Sequence, residues 1–327
     1  MAVLVTGGAG YIGSHAVYAL RDAGYEVIVL DNLSTGHQKV LPTDVTFVQG
    51  DVADIACLDK VFTAHAISTV MHFAGSVIVE ESIHNPEKYY QNNTHASRIL
   101  IDACRHHRIP NFIFSSTAAV YGHASTMTVD ETHHPHPETP YAESKLQTET
   151  SLCEASQAHG LNVTVLRYFN VAGADPNGRT GQLMINATHL IKVACEVAAG
   201  KRPELTIFGV DYDTPDGTAI RDFIHVSDLA DMHVCVLKDR ESYQGKGAYD
   251  VYNCGYGKGT SVREVITALD SLTEWPLVVR EAPRRAGDLG AVVADVRKFQ
   301  QKFAWQPQYN DLYKILQSTL SWEYSID

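Results

Sequence analysis

The sequence predicts an α/β fold: a doubly wound parallel sheet followed by a smaller C-terminal domain. Three observations carry this prediction. A short apolar strand, Ala2-Val3-Leu4-Val5-Thr6, runs into a glycine loop and then into a helical pattern. Further short apolar runs rich in β-branched residues alternate with helical patterns, as parallel strands joined by crossover helices do. A Gly-, Pro- and Asp-rich stretch, Gly173 to Gly181, then interrupts the alternation and reads as a domain boundary. The first domain is expected over 1–172. The second is expected over 173–327, with segments crossing back to the first.

In the opening unit Gly8, Gly10 and Gly13 fit GxGxxG, and Gly7, Gly10 and Gly13 fit the looser GxxGxxG. Either spacing lets backbone approach a pyrophosphate at the positive end of the next helix, expected from Ile12 to about Ala23. Gly7, Gly10, Tyr11, Ile12 and Gly13 are therefore candidate dinucleotide contacts, and the sheet is of the Rossmann type. The next strand, Glu26-Val27-Ile28-Val29-Leu30, ends at Asp31, near the ~20-residue spacing of a ribose-binding carboxylate. A carboxylate there accepts from ribose hydroxyls and repels a 2′-phosphate, which favours NAD over NADP. The plainer role for Asp31 is a cap on the turn from Asn32 to Gly36; Asn32 is a candidate contact beside it. A third strand, Val45-Thr46-Phe47-Val48, leads to Gly50-Asp51-Val52. A fourth, Thr69-Val70-Met71-His72-Phe73, leads to Ala74-Gly75. Both ends fall at the carboxyl edge of the sheet, where ligands bind in open α/β folds. Asp51 with Val52 is placed to reach an adenine, and Phe73, Ala74 and Gly75 the cofactor's middle. Asp51 serves almost equally well as a helix cap.

The strand Asn111-Phe112-Ile113-Phe114 runs into three hydroxyls, Ser115-Ser116-Thr117, and a helix pattern begins near Tyr141. Tyr141 and Lys145 are four apart and share a helix face. An ammonium beside a phenol favours the phenolate, lowering a pKa that starts near ~10. With a strand-end hydroxyl, the pair can move a proton on and off an alcohol. In a chain with 16 Tyr such spacing carries little weight by itself. Its place on a dinucleotide-binding sheet raises it.

The net charge of −12 lacks the global basic surface that nucleic acid requires. An anionic ligand must be held by local cations and backbone N–H groups against that field. Six scattered cysteines, none in a CxxC pair, read as reduced packing residues of the cytoplasm. No basic and apolar leader and no apolar run of ~18 residues is evident, so no membrane role is expected. The cluster His133-His134-Pro135-His136-Pro137 is interrupted by prolines and has no nearby Cys, so no metal is expected there.

Thr6-Gly7-Gly8-Ala9-Gly10-Tyr11-Ile12-Gly13, the Asp31 spacing, His72-Phe73-Ala74-Gly75 and Tyr141xxxLys145 resemble the extended short-chain dehydrogenase/reductase family. Later segments are similar to its UDP-glucose 4-epimerase branch: Leu166-Arg167-Tyr168-Phe169-Asn170, Asp216 to Val226, and Pro283-Arg284-Arg285-Ala286-Gly287-Asp288. The resemblance implies NAD as cofactor and a UDP-hexose as substrate, inverted at C4 through a 4-keto sugar. It implies Tyr141 as base, Lys145 as its partner and a nicotinamide-ribose contact, and Thr117, with Ser116 second, on the sugar 4-hydroxyl. It sets Asn92, Tyr168 and Phe169 near the cofactor. Asn170, His189, Leu190, Arg221, Arg285, Asp288 and Val292 are set near the sugar nucleotide. Arginine suits bidentate phosphate contact, which favours Arg221 and Arg285 for the diphosphate. A homodimer through helices near 87–106 and 141–159 is also implied.

Two departures stand out. Val77 occupies a position where several such enzymes carry Lys. Val292 stands where some carry a bulky aromatic, which leaves room for an N-acetyl group. Two rivals are weighed. A nucleotide-sugar 4,6-dehydratase carries an acid/base pair directly after its Ser/Thr, whereas Ala118-Ala119 follow Thr117 here. A non-catalytic NAD sensor would be expected to have lost Tyr141 or Lys145, and both are present.

Overall fold

The computed structural model describes residues 2–123, 126–184, 187–285 and 288–326. Ala286 and Gly287 of the arginine motif lie outside the described residues. β1 (Ala2–Thr6) is buried along its length, as an apolar strand covered on both faces must be. It leads to α1 (Tyr11–Asp22), β2 (Glu26–Asp31), β3 (Thr46–Gln49), α2 (Ile55–Ala64) and β4 (Ile67–His72). Asp54 caps α2 by accepting from the Cys57 N–H. α3 (Val79–His84) and α4 (Pro86–Tyr89) precede a π-helical turn, Tyr90–His95, which passes into α5 (Ala96–His106). β5 (Asn111–Thr117) takes the three hydroxyls into the strand itself. β6 (Thr128–Val129) is short.

α6 (Pro140–His159) starts where the chain supplies both start signals: the Thr139 side chain accepts from the Ala142 N–H, and Pro140 occupies the first turn. Gly160, left-handed at φ 75°, ends it. β7 (Asn162–Tyr168), β8 (Asn170–Ala172), α7 (Leu190–Ala198), β9 (Leu205–Phe208), β10 (Ile220–His225) and α8 (Val226–Ser242) follow. The chain continues with β11 (Tyr249–Cys254), β12 (Gly259–Ser261), α9 (Val262–Asp270), β13 (Val279–Ala282), β14 (Ala291–Ala294), α10 (Arg297–Phe303) and α11 (Leu312–Ser325). α7 begins at Leu190, with His189 as its N-cap.

The seven-stranded sheet has the order β11-β7-β5-β4-β1-β2-β3. β1 pairs in parallel with both β2 and β4, and β5 with both β4 and β7. The chain therefore builds outward from β1 through β2 and β3, then returns to add β4 on the other side. That reversal makes the carboxyl ends of β1 and β4 the switch point of the sheet, where an open α/β fold leaves a crevice. Leu4, Ile28, Leu30, Val70, Phe112, Phe114, Val163 and Val165 pack with Leu58, Phe62, Leu100 and Leu152 in one core. Each such fully buried side chain contributes about 1.5–3 kcal/mol. All six cysteines are free thiols, three of them buried.

The chain divides into two compact units. One comprises Met1–Gly122, His134–Tyr168 and Ala230–Tyr252; the other comprises His123–His133, Phe169–Leu229 and Asn253–Asp327. In the second unit β10 pairs with β12, β14 and β8. Its core gathers Ile191, Cys195, Leu205, Phe223, Leu269, Leu316 and Leu320. Asp222 ties its loops together: the carboxylate accepts from the N–H groups of Tyr256, Gly257 and Ala294 at 2.8, 2.9 and 3.1 Å. No helix among the described residues is long and apolar enough to cross a membrane.

Candidate active site

The glycine loop sits at the switch point because nothing larger fits. Gly7 is left-handed at φ 71°, and a Cβ there would lie 2.5 Å from the Ala74 nitrogen. A Cβ on Gly13 would collide with the Gly7 carbonyl oxygen. Gly10, the N-cap of α1, offers no side-chain cap, and the first turn of the helix carries no acid. Its opening N–H groups and positive dipole end are thus available to a phosphate beside Tyr11 and Ile12. Asp31, 7% exposed, accepts from the Ala9 N–H at 2.9 Å and from the Leu33 N–H at 2.8 Å. It shapes the loop as well as ending β2, and a carboxylate with about four acceptor sites retains capacity for hydroxyls. Asn32 donates to Asp51 at 2.8 Å, joining the ends of β2 and β3; Asp51 also caps the Ala53 N–H. Val52 is buried beside them. Phe73 and Ala74 both donate to the Thr6 carbonyl, at 2.9 and 3.1 Å, and bring their backbone to the same crevice. The residues present fit a dinucleotide with a free ribose.

Three successive residues at the end of β5 meet the start of α6. The Lys145 ammonium donates to the Ser115 carbonyl at 3.0 Å and lies 5.0 Å from the Phe114 ring centre. Ser116 donates to Glu149 at 2.5 Å. Thr117 shares a hydrogen bond with the Tyr141 phenol. Ser116 is committed to Glu149, which leaves Thr117 as the strand-end hydroxyl that meets the Tyr141 phenol.

The electrostatics differ from the simple expectation. Burial pushes the Tyr141 phenol above its ordinary value, and the Thr117 bond offsets only part of that. Lys145, 3% exposed, is pushed down to about 8 by burial, with Glu149 pulling the other way. In the protein alone the phenol is thus protonated rather than made acidic. The ammonium is turned to a backbone carbonyl, and burial is the larger effect on the phenol.

A buried polar chain backs the pair. Thr6 and His72 are 2.7 Å apart, and His72 and Ser97 are 2.8 Å apart. Ser97 donates its one proton to the Asn93 carbonyl at 2.5 Å, so His72 Nε2 must carry a hydrogen and Nδ1 must accept from Thr6. Burial, with the Lys145 charge, pushes the imidazole down to about 3, so it is neutral. Asn93 donates to Ser144 and to the Ser76 carbonyl, and a Cβ on Gly75 would meet both Asn93 Oδ1 and Lys145 Nζ. The expected Asn92 is exposed and donates to Ser76; its neighbour Asn93 faces the site, because the π-helical turn shifts the helix face. Tyr168, register partner of Thr117, is 2.5 Å from His233 Nε2.

In the second unit Arg221 and Arg285 converge on Asp288, at 3.9 and 2.9 Å. Arg285 lies over the Phe208 ring at 4.7 Å, and Val292 is the register partner of Arg221. Tyr212, with a buried unpartnered hydroxyl, packs under Arg284 at 4.2 Å. Asn170 pairs with Phe223 across β8 and β10, and Phe169 donates to the Cys254 carbonyl. His189, exposed, lies 3.0 Å from Gln182 and precedes Leu190.

The sequence reading missed Glu149, Arg167, His72 and Asn93. Glu149 had a signal: it continues the four-residue spacing of Tyr141 and Lys145 by one more helical turn. Arg167 had none, since only the register of β5 and β7 sets it beside Ser116.

Residues 3–255 match the family described as "NAD dependent epimerase/dehydratase family". The chain is 50% identical over 325 residues to a UDP-glucose 4-epimerase of Azospirillum brasilense, covering 99% of this chain and 92% of that relative. Its fold matches the crystal structure of UDP-glucose 4-epimerase from Brucella ovis in complex with NAD. The TM-score is 0.94 at 42% identity, covering 98% of each chain. It also matches the UDP-Glc/GlcNAc 4-epimerase from Campylobacter jejuni, with a TM-score of 0.85 at 43% identity, covering 99% of each. The chain therefore belongs to the NAD dependent epimerase/dehydratase family.

Proposed function

We propose that this chain interconverts UDP-glucose and UDP-galactose by inverting C4 through a 4-keto sugar. The observation that carries the reading is the Thr117–Tyr141–Lys145 constellation at the carboxyl edge of a sheet whose glycine loop fits NAD. Gly7, Gly10, Tyr11, Ile12, Gly13, Asp31, Asn32, Asp51, Val52, Phe73, Ala74, Gly75, Tyr168 and Phe169 hold the cofactor, with Asn93 beside Asn92. NAD, when bound, supplies a reversible hydride acceptor. Tyr141 takes the proton of the 4-hydroxyl and returns it, and Thr117 holds that hydroxyl in line. Lys145 supplies the positive charge that favours the phenolate. Because burial holds Tyr141 protonated in the free protein, proton removal is competent only once ligands occupy the site. Asn170, His189, Leu190, Arg221, Arg285 and Asp288 anchor the nucleotide diphosphate while the hexose turns.

The valine at 292 supports a second substrate pair, the N-acetylated UDP-hexosamines, a reading in keeping with the similarity to the UDP-Glc/GlcNAc 4-epimerase from Campylobacter jejuni. A cytoplasmic homodimer through 87–106 and 141–159 belongs to the same reading, on the strength of the family resemblance; sedimentation tests the dimer.

The assay is incubation of the purified protein with UDP-galactose and no added electron acceptor. UDP-glucose is the expected product. A 4-keto-6-deoxy sugar, or no product, ends this reading. Val292→Tyr is expected to remove activity on UDP-N-acetylglucosamine while sparing UDP-glucose; a parent protein that turns over UDP-glucose but not UDP-N-acetylglucosamine refutes the second substrate pair, and a variant that keeps both activities refutes the role of Val292.

A further inference from the structure

Three turns of one face of α6 carry Tyr141, Lys145 and Glu149. The first two are absorbed by the proposed reaction, on which this inference rests; the third is not. Glu149 is 2% exposed and accepts three hydrogen bonds through its carboxylate. Its Oε1 accepts from Ser116 Oγ at 2.5 Å and from Arg167 Nε at 3.1 Å, and its Oε2 accepts from Arg167 Nη2 at 2.6 Å. Ser116 and Arg167 are register partners on β5 and β7, so one carboxylate grips two strands at the level of the reacting groups. The Arg167 guanidinium is itself 4.8 Å from the Tyr121 ring centre, and the Glu149 carbonyl accepts from the Tyr249 hydroxyl at 3.3 Å. A buried ion pair of this kind adds little net stability compared with an apolar pair, so stability does not explain it.

We infer that Glu149 is a positioning residue: its buried carboxylate, clamped by Ser116 and Arg167, keeps Lys145 charged and seated one helical turn away on the end of β5. Lys145 is faced by Tyr141 and Glu149 from α6, by the Ser115 carbonyl and the Phe114 ring from β5, by neutral His72 from β4, and by Asn93 from the π-helical turn. Among these Glu149 is the anion, and its attraction opposes the desolvation that strips Lys145 of its proton. Without it the ammonium is lost at lower pH, and the phenolate at Tyr141 loses its partner within the working range.

The test uses Glu149→Gln, which keeps an oxygen for Ser116 but removes the charge. It also uses Glu149→Gln with Arg167→Met, which avoids stranding a buried guanidinium, and Glu149→Asp, which restores the charge. Folding is checked by circular dichroism, and the double variant decides if the single one does not fold. The first readout is the titration of Lys145 in the ligand-free protein, followed by NMR with lysine labelled at Cε and assigned by its loss in Lys145→Arg. A downward move of about one pH unit is expected, with Glu149→Asp close to the parent. The second readout is the pH profile of epimerisation. Its alkaline limb moves down by the same amount, kcat falls and KM for the UDP-sugar holds. An unmoved Lys145 titration in a folded, charge-neutral variant overturns the inference whatever the reaction proves to be. A shifted titration with an unshifted profile overturns the role of the Lys145 charge in turnover. The substrate assay with Tyr141→Phe judges the proposed reaction separately.

Discussion

Lys145 offers a prediction in which stability and activity move in opposite directions. Its ammonium is 3% exposed, and its pKa lies at about 8 against the ordinary 10.5. The folded value is depressed, so between those pH values the unfolded chain binds more protons than the folded one. Stability therefore rises with pH across that window, and below about 8 the folded protein carries the full cost of the buried charge. The gap of about 2.5 units at ~1.36 kcal/mol each is about 3 kcal/mol. Lys145→Met removes that cost with a side chain of similar length. It also leaves the Ser115 carbonyl without this donor, at about 1 kcal/mol. The net expectation at about pH 7 is a gain of about 2 kcal/mol, or roughly 3 °C in a chain of 327 residues. Urea denaturation of the ligand-free protein measures it. Repeated near pH 10, where much of the parent's lysine is already neutral, the gain should shrink or vanish. Turnover falls in the same variant. A variant less stable than the parent at neutral pH, or equally stabilised at both, refutes the assignment of Lys145 as a strained buried cation.

Thr117→Ala should lower kcat by at least tenfold more than Ser116→Ala, since the bond to Tyr141 comes from Thr117; steady-state kinetics with equal or reversed losses contradicts this. Gly13→Ala drives a methyl into the Gly7 carbonyl and should weaken dinucleotide binding at least tenfold, read by fluorescence titration; parent-like affinity would mean the loop yields. Asp222→Ala leaves the N–H groups of Tyr256, Gly257 and Ala294 without their shared acceptor. At about 1–3 kcal/mol for each, stability falls by at least ~3 kcal/mol; a change under ~1 kcal/mol in denaturation would show those groups finding water.

Much of the first sheet was legible because its signals are local. β1, the glycine loop and β2 ending at Asp31 follow from apolar runs and from glycines that steric exclusion requires. The Tyr141–Lys145 face was legible for the same reason, since helix periodicity is a short-range rule. The choice between Ser116 and Thr117 was not, because neighbouring hydroxyls differ only in what packs against them. The burial of Asn93 beside the expected Asn92 was not legible either, because a π-helical turn changes which residue a helix presents.

What the chain determined by itself is therefore the alternation of strands and helices in the first sheet, the glycine loop between β1 and α1, and the helix face that carries Tyr141 and Lys145. These are set by bond geometry and by periodicities that span a few residues. The tertiary structure alone decided which hydroxyl meets Tyr141, that Glu149 closes on Arg167, and that Tyr141 and Lys145 are both pushed toward their neutral forms. Those outcomes depend on water being excluded and on charges brought together from distant parts of the chain, and no local pattern encodes either.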